Sequence, residues 1–97
     1  MRKYEIMFIV KPDIEEAKIK ETAESMKSLF ESMGATMLEV KEMGQKELAY
    51  EVKKYKNGYY FYFVVESIDG KATTEFDRVA LINENIIRHL VVRTDER

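Results

Sequence analysis

Lys53-Lys54-Tyr55-Lys56-Asn57-Gly58-Tyr59-Tyr60-Phe61-Tyr62-Phe63-Val64-Val65 is the stretch that decides the fold. Its last seven residues are aromatic or β-branched without a break, which is the composition of a strand. Parity divides them. Phe61, Phe63 and Val65 share one face, and Tyr60, Tyr62 and Val64 share the other. Phenylalanine has no polar atom and tyrosine keeps a hydroxyl, so the first set suits a covered face and the second an open one. Residues 53–58 read as a turn closing on Asn57-Gly58, a dipeptide favoured in hairpins, which pairs this strand with the segment before it.

Working backward, Leu48, Tyr50 and Val52 alternate, as do residues 35–43, where Thr36, Leu38 and Val40 oppose Met37, Glu39 and Lys41. Gly44 interrupts this pattern and predicts a bulge or bend. Residues 14–33 are helical, with Ile19, Ala23, Met26, Phe30 and Met33 along one stripe. Asp13 is the expected N-cap, Glu16 completes a capping box, and Gly34 supplies the left-handed turn at the other end. Residues 3–10 alternate again, with Ile6, Phe8 and Val10 on one side and Glu5 and Met7 on the other, until Lys11-Pro12-Asp13 stops the strand.

Working forward, Asp69-Gly70 ends the aromatic strand, and Ala72, Phe76, Val79 and Ala80 mark a second helix reaching about Leu81. Residues 86–92 are apolar on both parities, which predicts a central or doubly covered strand. The order is βαββαβ. Right-handed crossovers place both helices on one face of a four-stranded antiparallel sheet and leave the other face open. The expected fold is therefore α+β and ferredoxin-like, one domain over residues 1–97. Its expected core is Ile6, Phe8, Ile19, Met26, Phe30, Phe61, Phe63, Phe76 and Val79.

The 97 residues are 45% hydrophobic and 35% charged, which excludes disorder, and no apolar run is long enough for a transmembrane helix. The first strand follows Met1 closely and carries Glu5, unlike a signal peptide. With no cysteine there is no disulfide scaffold, thiol nucleophile or zinc ribbon, and a reducing compartment is expected. The net charge of −2 conceals an asymmetry. Six acidic residues against three lysines lie between Asp13 and Glu31, whereas five lysines against three glutamates lie between Lys41 and Lys56. An anionic partner could be met locally.

Catalytic chemistry is hard to find. His89, the one histidine, sits in a strand and suits packing or partner contact better than catalysis. The serines have no base at a motif spacing, the glycines are isolated, and metal ligands do not cluster. No enzyme activity, catalytic residue, metal site, cofactor or small-molecule substrate is expected. Two features remain. Tyr60 and Tyr62 on the open face suit stacked bases or a protein partner. Lys46, Lys53, Lys54 and Lys56 around the hairpin, with Arg2, Lys3, Arg88 and Arg93 on outer strands, suit phosphates or simply discourage edge aggregation.

The opening Met-Arg-Lys-Tyr-Glu-Ile-Met-Phe-Ile-Val-Lys-Pro, the stretch Gly44-Gln45-Lys46-Glu47-Leu48-Ala49-Tyr50, the Gly58-Tyr59-Tyr60 strand start and Ile86-Ile87-Arg88-His89-Leu90-Val91-Val92-Arg93 resemble the bacterial small-subunit ribosomal protein S6 family. The resemblance runs over nearly the whole chain. It implies a ferredoxin-like fold and a structural role in the cytoplasmic small ribosomal subunit. It also implies contact with the central domain of 16S ribosomal RNA and a heterodimer with ribosomal protein S18. On that footing Arg2, Lys3, Lys46, Lys53, Lys54, Lys56 and Arg93 are the expected RNA contacts, and Tyr60, Tyr62 and Arg88 the expected partner contacts. Two departures lower the hairpin's positive charge. Glu47 stands where the family often has a second basic residue before Leu-Ala-Tyr, and Glu51 where it commonly has proline.

The alternative is a free-standing single-stranded RNA binder of the RNA-recognition-motif type, loosely echoed by Lys56-Asn57-Gly58-Tyr59-Tyr60-Phe61-Tyr62-Phe63. Such a domain needs an aromatic on the open face of the first strand. Parity puts Phe8 with the buried Ile6 instead.

Overall fold

The computed structural model describes residues 2–94. The elements are β1 (Arg2–Val10), α1 (Glu16–Ser32), β2 (Thr36–Val52), β3 (Tyr55–Ser67), α2 (Lys71–Ile82) and β4 (Ile86–Arg93). The strands form one antiparallel sheet in the order β2-β3-β1-β4. The βαββαβ arrangement and the helix-covered sheet face are as the periodicities predict.

Register fixes the two faces. Ile6 pairs with Phe63 and Phe8 with Phe61, so these side chains point together toward the helices. Both helices turn an apolar stripe to meet them: Ile19, Ala23, Met26 and Phe30 from α1, and Ala72, Phe76 and Ala80 from α2. All five phenylalanines of the chain join the cluster. Phe8 stacks on Phe61 with centroids 5.2 Å apart and meets Phe63 edge-on at 5.3 Å; Phe30 lies 5.2 Å from Phe76. Val79 is half-buried at the rim of this core.

Four local expectations need correction. Asp13 does not cap α1. Glu15 holds that position without a side-chain cap bond, because the Asp13 carboxylate accepts the Tyr55 hydroxyl at 3.1 Å. The hairpin does not close on Asn57-Gly58. It closes at Lys53-Lys54, whose φ values of 49° and 71° supply the positive pair that a two-residue turn needs between Val52 and Tyr55. Gly58 lies inside β3 and serves close approach instead: a Cβ there would stand 2.4 Å from Cγ2 of Ile9.

The third correction concerns Leu48, Tyr50 and Val52, whose alternation predicts a regular strand. The ladder pairs Glu47 with Asn57 and Val52 with Tyr55, so residues 48–51 face a single residue, Lys56, and are looped out of register. Gly44, at φ 79°, marks an earlier irregularity between Glu42 and Gly44, which agrees with its expected bulge. The fourth concerns β4, which lies at an edge of the sheet. Its second apolar parity is uncovered, with Leu90 and Val92 52% and 44% exposed. Apolar residues on both parities therefore do not mark a doubly covered strand here: one parity meets the helices and the other stands exposed on the open face.

Gly34, at φ 82°, ends α1 as expected, and the Ala35 N–H reaches the Phe30 carbonyl at 3.0 Å. No helix among the described residues is long and apolar enough to cross a membrane.

Candidate functional site

The face of the sheet turned away from the helices carries Glu5, Met7 and Ile9 from β1, Tyr60, Tyr62 and Val64 from β3, and Arg88, Leu90 and Val92 from β4. Tyr60 pairs with Ile9, and Ile9 pairs with Arg88, so these three form one row across the sheet. Tyr62, Met7 and Leu90 form the next, and Val64, Glu5 and Val92 the one after.

The hairpin arm bends over the first of these rows. Arg88 Nη1 donates to the Tyr50 hydroxyl at 3.4 Å, and the guanidinium lies 5.9 Å from the Tyr50 ring centroid. Tyr50 belongs to β2 and Arg88 to β4, the opposite edges of the sheet. Three interstrand steps of ~4.8 Å separate those edges, so the contact exists only because the arm curls across the face. The looped-out residues 48–51 and the Gly44 irregularity provide the curl, since bulges bend a strand and increase its twist. At the arm's base the Tyr55–Asp13 hydrogen bond ties it to the β1–α1 connection. Burial first, then Asp13, raises the Tyr55 pKa, so this hydroxyl stays protonated and donating in neutral solution.

Beneath the arm lies a groove of about 290 Å³ lined by Met7, Ile9, Leu48, Ala49, Tyr50, Val52, Tyr60, Arg88, His89 and Leu90. That volume is at the small end of the range for small-molecule pockets. Next to the groove, charged side chains surround Tyr62. Lys41 on β2 stands 5.9 Å over the Tyr62 ring and 3.8 Å from Glu39. Burial, followed by the neighbouring Glu5 and Glu39 carboxylates, raises the Tyr62 pKa.

The structure thus brings Tyr60 and Arg88 together at the groove, as the sequence suggested, and sets Tyr62 one row away in a polar setting. Leu48, Ala49, Tyr50, Met7 and Leu90 also line the groove, beyond the residues that sequence reasoning marks for the site. The uncovered parity of β4 and the apolar Leu-Ala-Tyr between charged neighbours were the available signals.

The expected RNA contacts do not form one patch. Lys46, Lys53, Lys54 and Lys56 are exposed along the arm, where Glu47 and Glu51 offset part of their charge. Arg2, Lys3 and Arg93 cluster at the far end, with Arg2 opposite Ser67, Lys3 opposite Glu66 and Arg93 opposite Tyr4. The length of β1, roughly 25 Å at ~3.3 Å per residue, separates the groups. Arg2 is partly engaged there, its Nη1 3.4 Å from the Tyr4 hydroxyl.

His89 points to the helix side, where its ring meets Phe76 edge-on at 5.7 Å and Nε2 lies 2.7 Å from Asp77. It packs and ties β4 to α2. No group of three or more histidine, cysteine or acidic side chains that could hold a metal gathers among the described residues.

Solved structures and family comparison agree with this architecture. The crystal structure of 30S ribosomal protein S6 from Thermotoga maritima superposes with a TM-score of 0.92 at 29% identity, covering 98% of this chain and 89% of that one. The C-terminal domain of the MgtC protein from Mycobacterium tuberculosis matches at a TM-score of 0.62 and 8% identity, over 99% of this chain and 90% of that one, a likeness of fold alone. The family described as ribosomal protein S6 matches residues 3–93, which takes in every strand and both helices. The chain belongs to the ribosomal protein S6 family.

Proposed function

We propose that this chain binds the central domain of 16S ribosomal RNA jointly with ribosomal protein S18, acting as one ferredoxin-like unit over residues 1–97 in the bacterial cytoplasm. Family membership makes it a structural protein of the small ribosomal subunit and not an enzyme. The observation that carries the finer reading is the uncovered groove beneath the arm, where Tyr50, Tyr60 and Arg88 converge beside Leu90. Tyrosine and arginine around an apolar centre are the preferred anchors of protein interfaces. A base-stacking platform is less well supported, because the central strand β1 contributes Glu5, Met7 and Ile9 to this face while Phe8 is fully buried.

With a net charge of −2, the chain depends on a basic partner for strong RNA binding. Lys46, Lys53, Lys54 and Lys56 on the arm can meet a few phosphates beside that partner, and Arg2, Lys3 and Arg93 can do so only at a second, distant point. Titrating S18 into a fixed amount of 16S central-domain RNA, with and without this protein, tests the reading. Binding that is strong only when both proteins are present is expected. Equally tight binding by this chain alone, or tight capture of short single-stranded oligonucleotides, overturns it.

A further inference from the structure

The row beyond the groove holds a carboxylate, Glu5, that no cation among the described residues meets. Glu5 lies on the open face two positions from Met7, between Val64 on β3 and Val92 on β4. These neighbours leave it half-buried. Its carboxylate takes part in no ion pair among the described residues. Glu39, the next carboxylate on this face, has Lys41 at 3.8 Å, and Lys41 also lies over the Tyr62 ring. Lys3, two positions from Glu5 in the other direction, is exposed and in register with Glu66. What adjoins Glu5 is the Tyr62 hydroxyl, whose pKa rises through burial first and Glu5 second.

A carboxylate flanked by valines tolerates this position while water reaches it. Any partner that covers the groove and the row beside it removes that water, and an uncompensated buried charge is strongly unfavourable. An occupant with only apolar side chains would therefore be rejected at this row. A nucleic acid would bring further negative charge to it. A cation is the matching group, and hydrogen bonds between charged partners are the stronger kind.

We propose that the protein partner seats an apolar side chain in the groove over Met7, Tyr60 and Leu90, and an arginine or lysine against the Glu5 carboxylate about 7 Å away along β1. This rests on the proposal that the open face binds S18. The groove supplies contact area, and Glu5 sets orientation, since a segment docked in the reverse direction would carry its cation toward Arg88. Like charges placed together across an interface suppress the wrong alignment.

The test is calorimetric titration of purified S18 into the full chain at several salt concentrations, for wild type, Glu5→Gln and Leu90→Ser. Glu5→Gln is nearly isosteric and is expected to keep the wild-type urea midpoint. It should bind about tenfold more weakly at low salt, with a shallower salt dependence, because screening acts on the charge pair alone. Leu90→Ser should lose affinity with the salt dependence unchanged. If wild type binds S18 and Glu5→Gln matches it at every salt concentration, the inference is overturned while the function proposed above stands. If wild type does not bind S18, both fall. If Glu5→Gln gains affinity for a single-stranded oligonucleotide without any change toward S18, the face serves nucleic acid and the inference is likewise overturned.

Discussion

On one face of β3, Phe61 and Phe63 are 3% and 1% exposed and pack among three other phenylalanine rings. On the opposite face of the same strand, Tyr60 and Tyr62 are half-buried, and polar or charged groups reach them: Arg88 and Tyr50 at the groove, Glu5 and Lys41 beside Tyr62. The two sets alternate residue by residue, so backbone conformation and strand propensity are the same for both. What differs is the cover. Both helices lie on the phenylalanine side, and the tyrosine side is roofed only at one end, by the arm. The difference teaches that residues of similar size serve stability on one face and, in the complex proposed above, partner contact on the other, and that the hydroxyl marks which is which. A ring that must be both presented to water and buried in a complex needs a polar end.

Exchanging the roles should therefore produce opposite phenotypes. The largest effect is expected on the covered face. Phe63→Ala or Phe30→Ala removes a ring from a close-packed cluster and should cost about 3–5 kcal/mol, seen as a large fall in the urea midpoint. An unchanged midpoint would mean that the faces are assigned in reverse. The open face should give the next largest effect, in binding and not in stability. Tyr60→Ser should weaken S18 binding about tenfold or more with little change in the urea midpoint, because Tyr60 lines the groove. Tyr62→Ser should weaken it less, because Tyr62 is not part of the groove lining and stands beside Lys41 and Glu5. Equal losses from both would show that the partner covers the whole face evenly.

The smallest effect belongs to the arm's cations, which lie on neither face. Replacing Lys54 and Lys56 with glutamine should shallow the slope of log RNA affinity against log salt by at most about two, and leave S18 binding intact. A fall in S18 affinity of the same double variant would place the arm tip in the protein interface.

Much of this was legible in the linear chain. The parity of residues 59–65 assigned the covered and open faces correctly, because side chains on a strand alternate by geometry alone. The stripe Ile19, Ala23, Met26 and Phe30 likewise located α1. Local signals failed where a tertiary contact outbid them. Asp13 has the chemistry of an N-cap, and Asn57-Gly58 that of a turn. Yet Asp13 is taken by Tyr55, forty-two residues away, and Gly58 is required where β3 passes Ile9. The turn then falls on two lysines that no propensity scale would choose.

The site divides in the same way. Tyr60 and Arg88 were visible as a tyrosine on an open parity and a cation on the last strand, and they do meet at the groove. Leu48, Ala49 and Tyr50 were not visible as its roof, because their alternation mimics an ordinary strand and nothing local reveals that they are looped out. Nor could charge counting show that the seven expected RNA contacts sit at two ends of the sheet.

The sequence by itself determined the element order, the identity of the core and the existence of an open face, since each depends on periodicity along a single segment. Only the tertiary structure decided that β4 is an edge, that the arm crosses the sheet to reach Arg88, and that Glu5, among the described residues, stands without an ion pair beside an apolar groove. These depend on which strands become neighbours and how far a bulged strand bends. The physical reason is range: periodicity is a property of residues a few positions apart, whereas the site is assembled from β1, β2, β3 and β4, whose proximity exists only after the sheet has closed around the phenylalanine core.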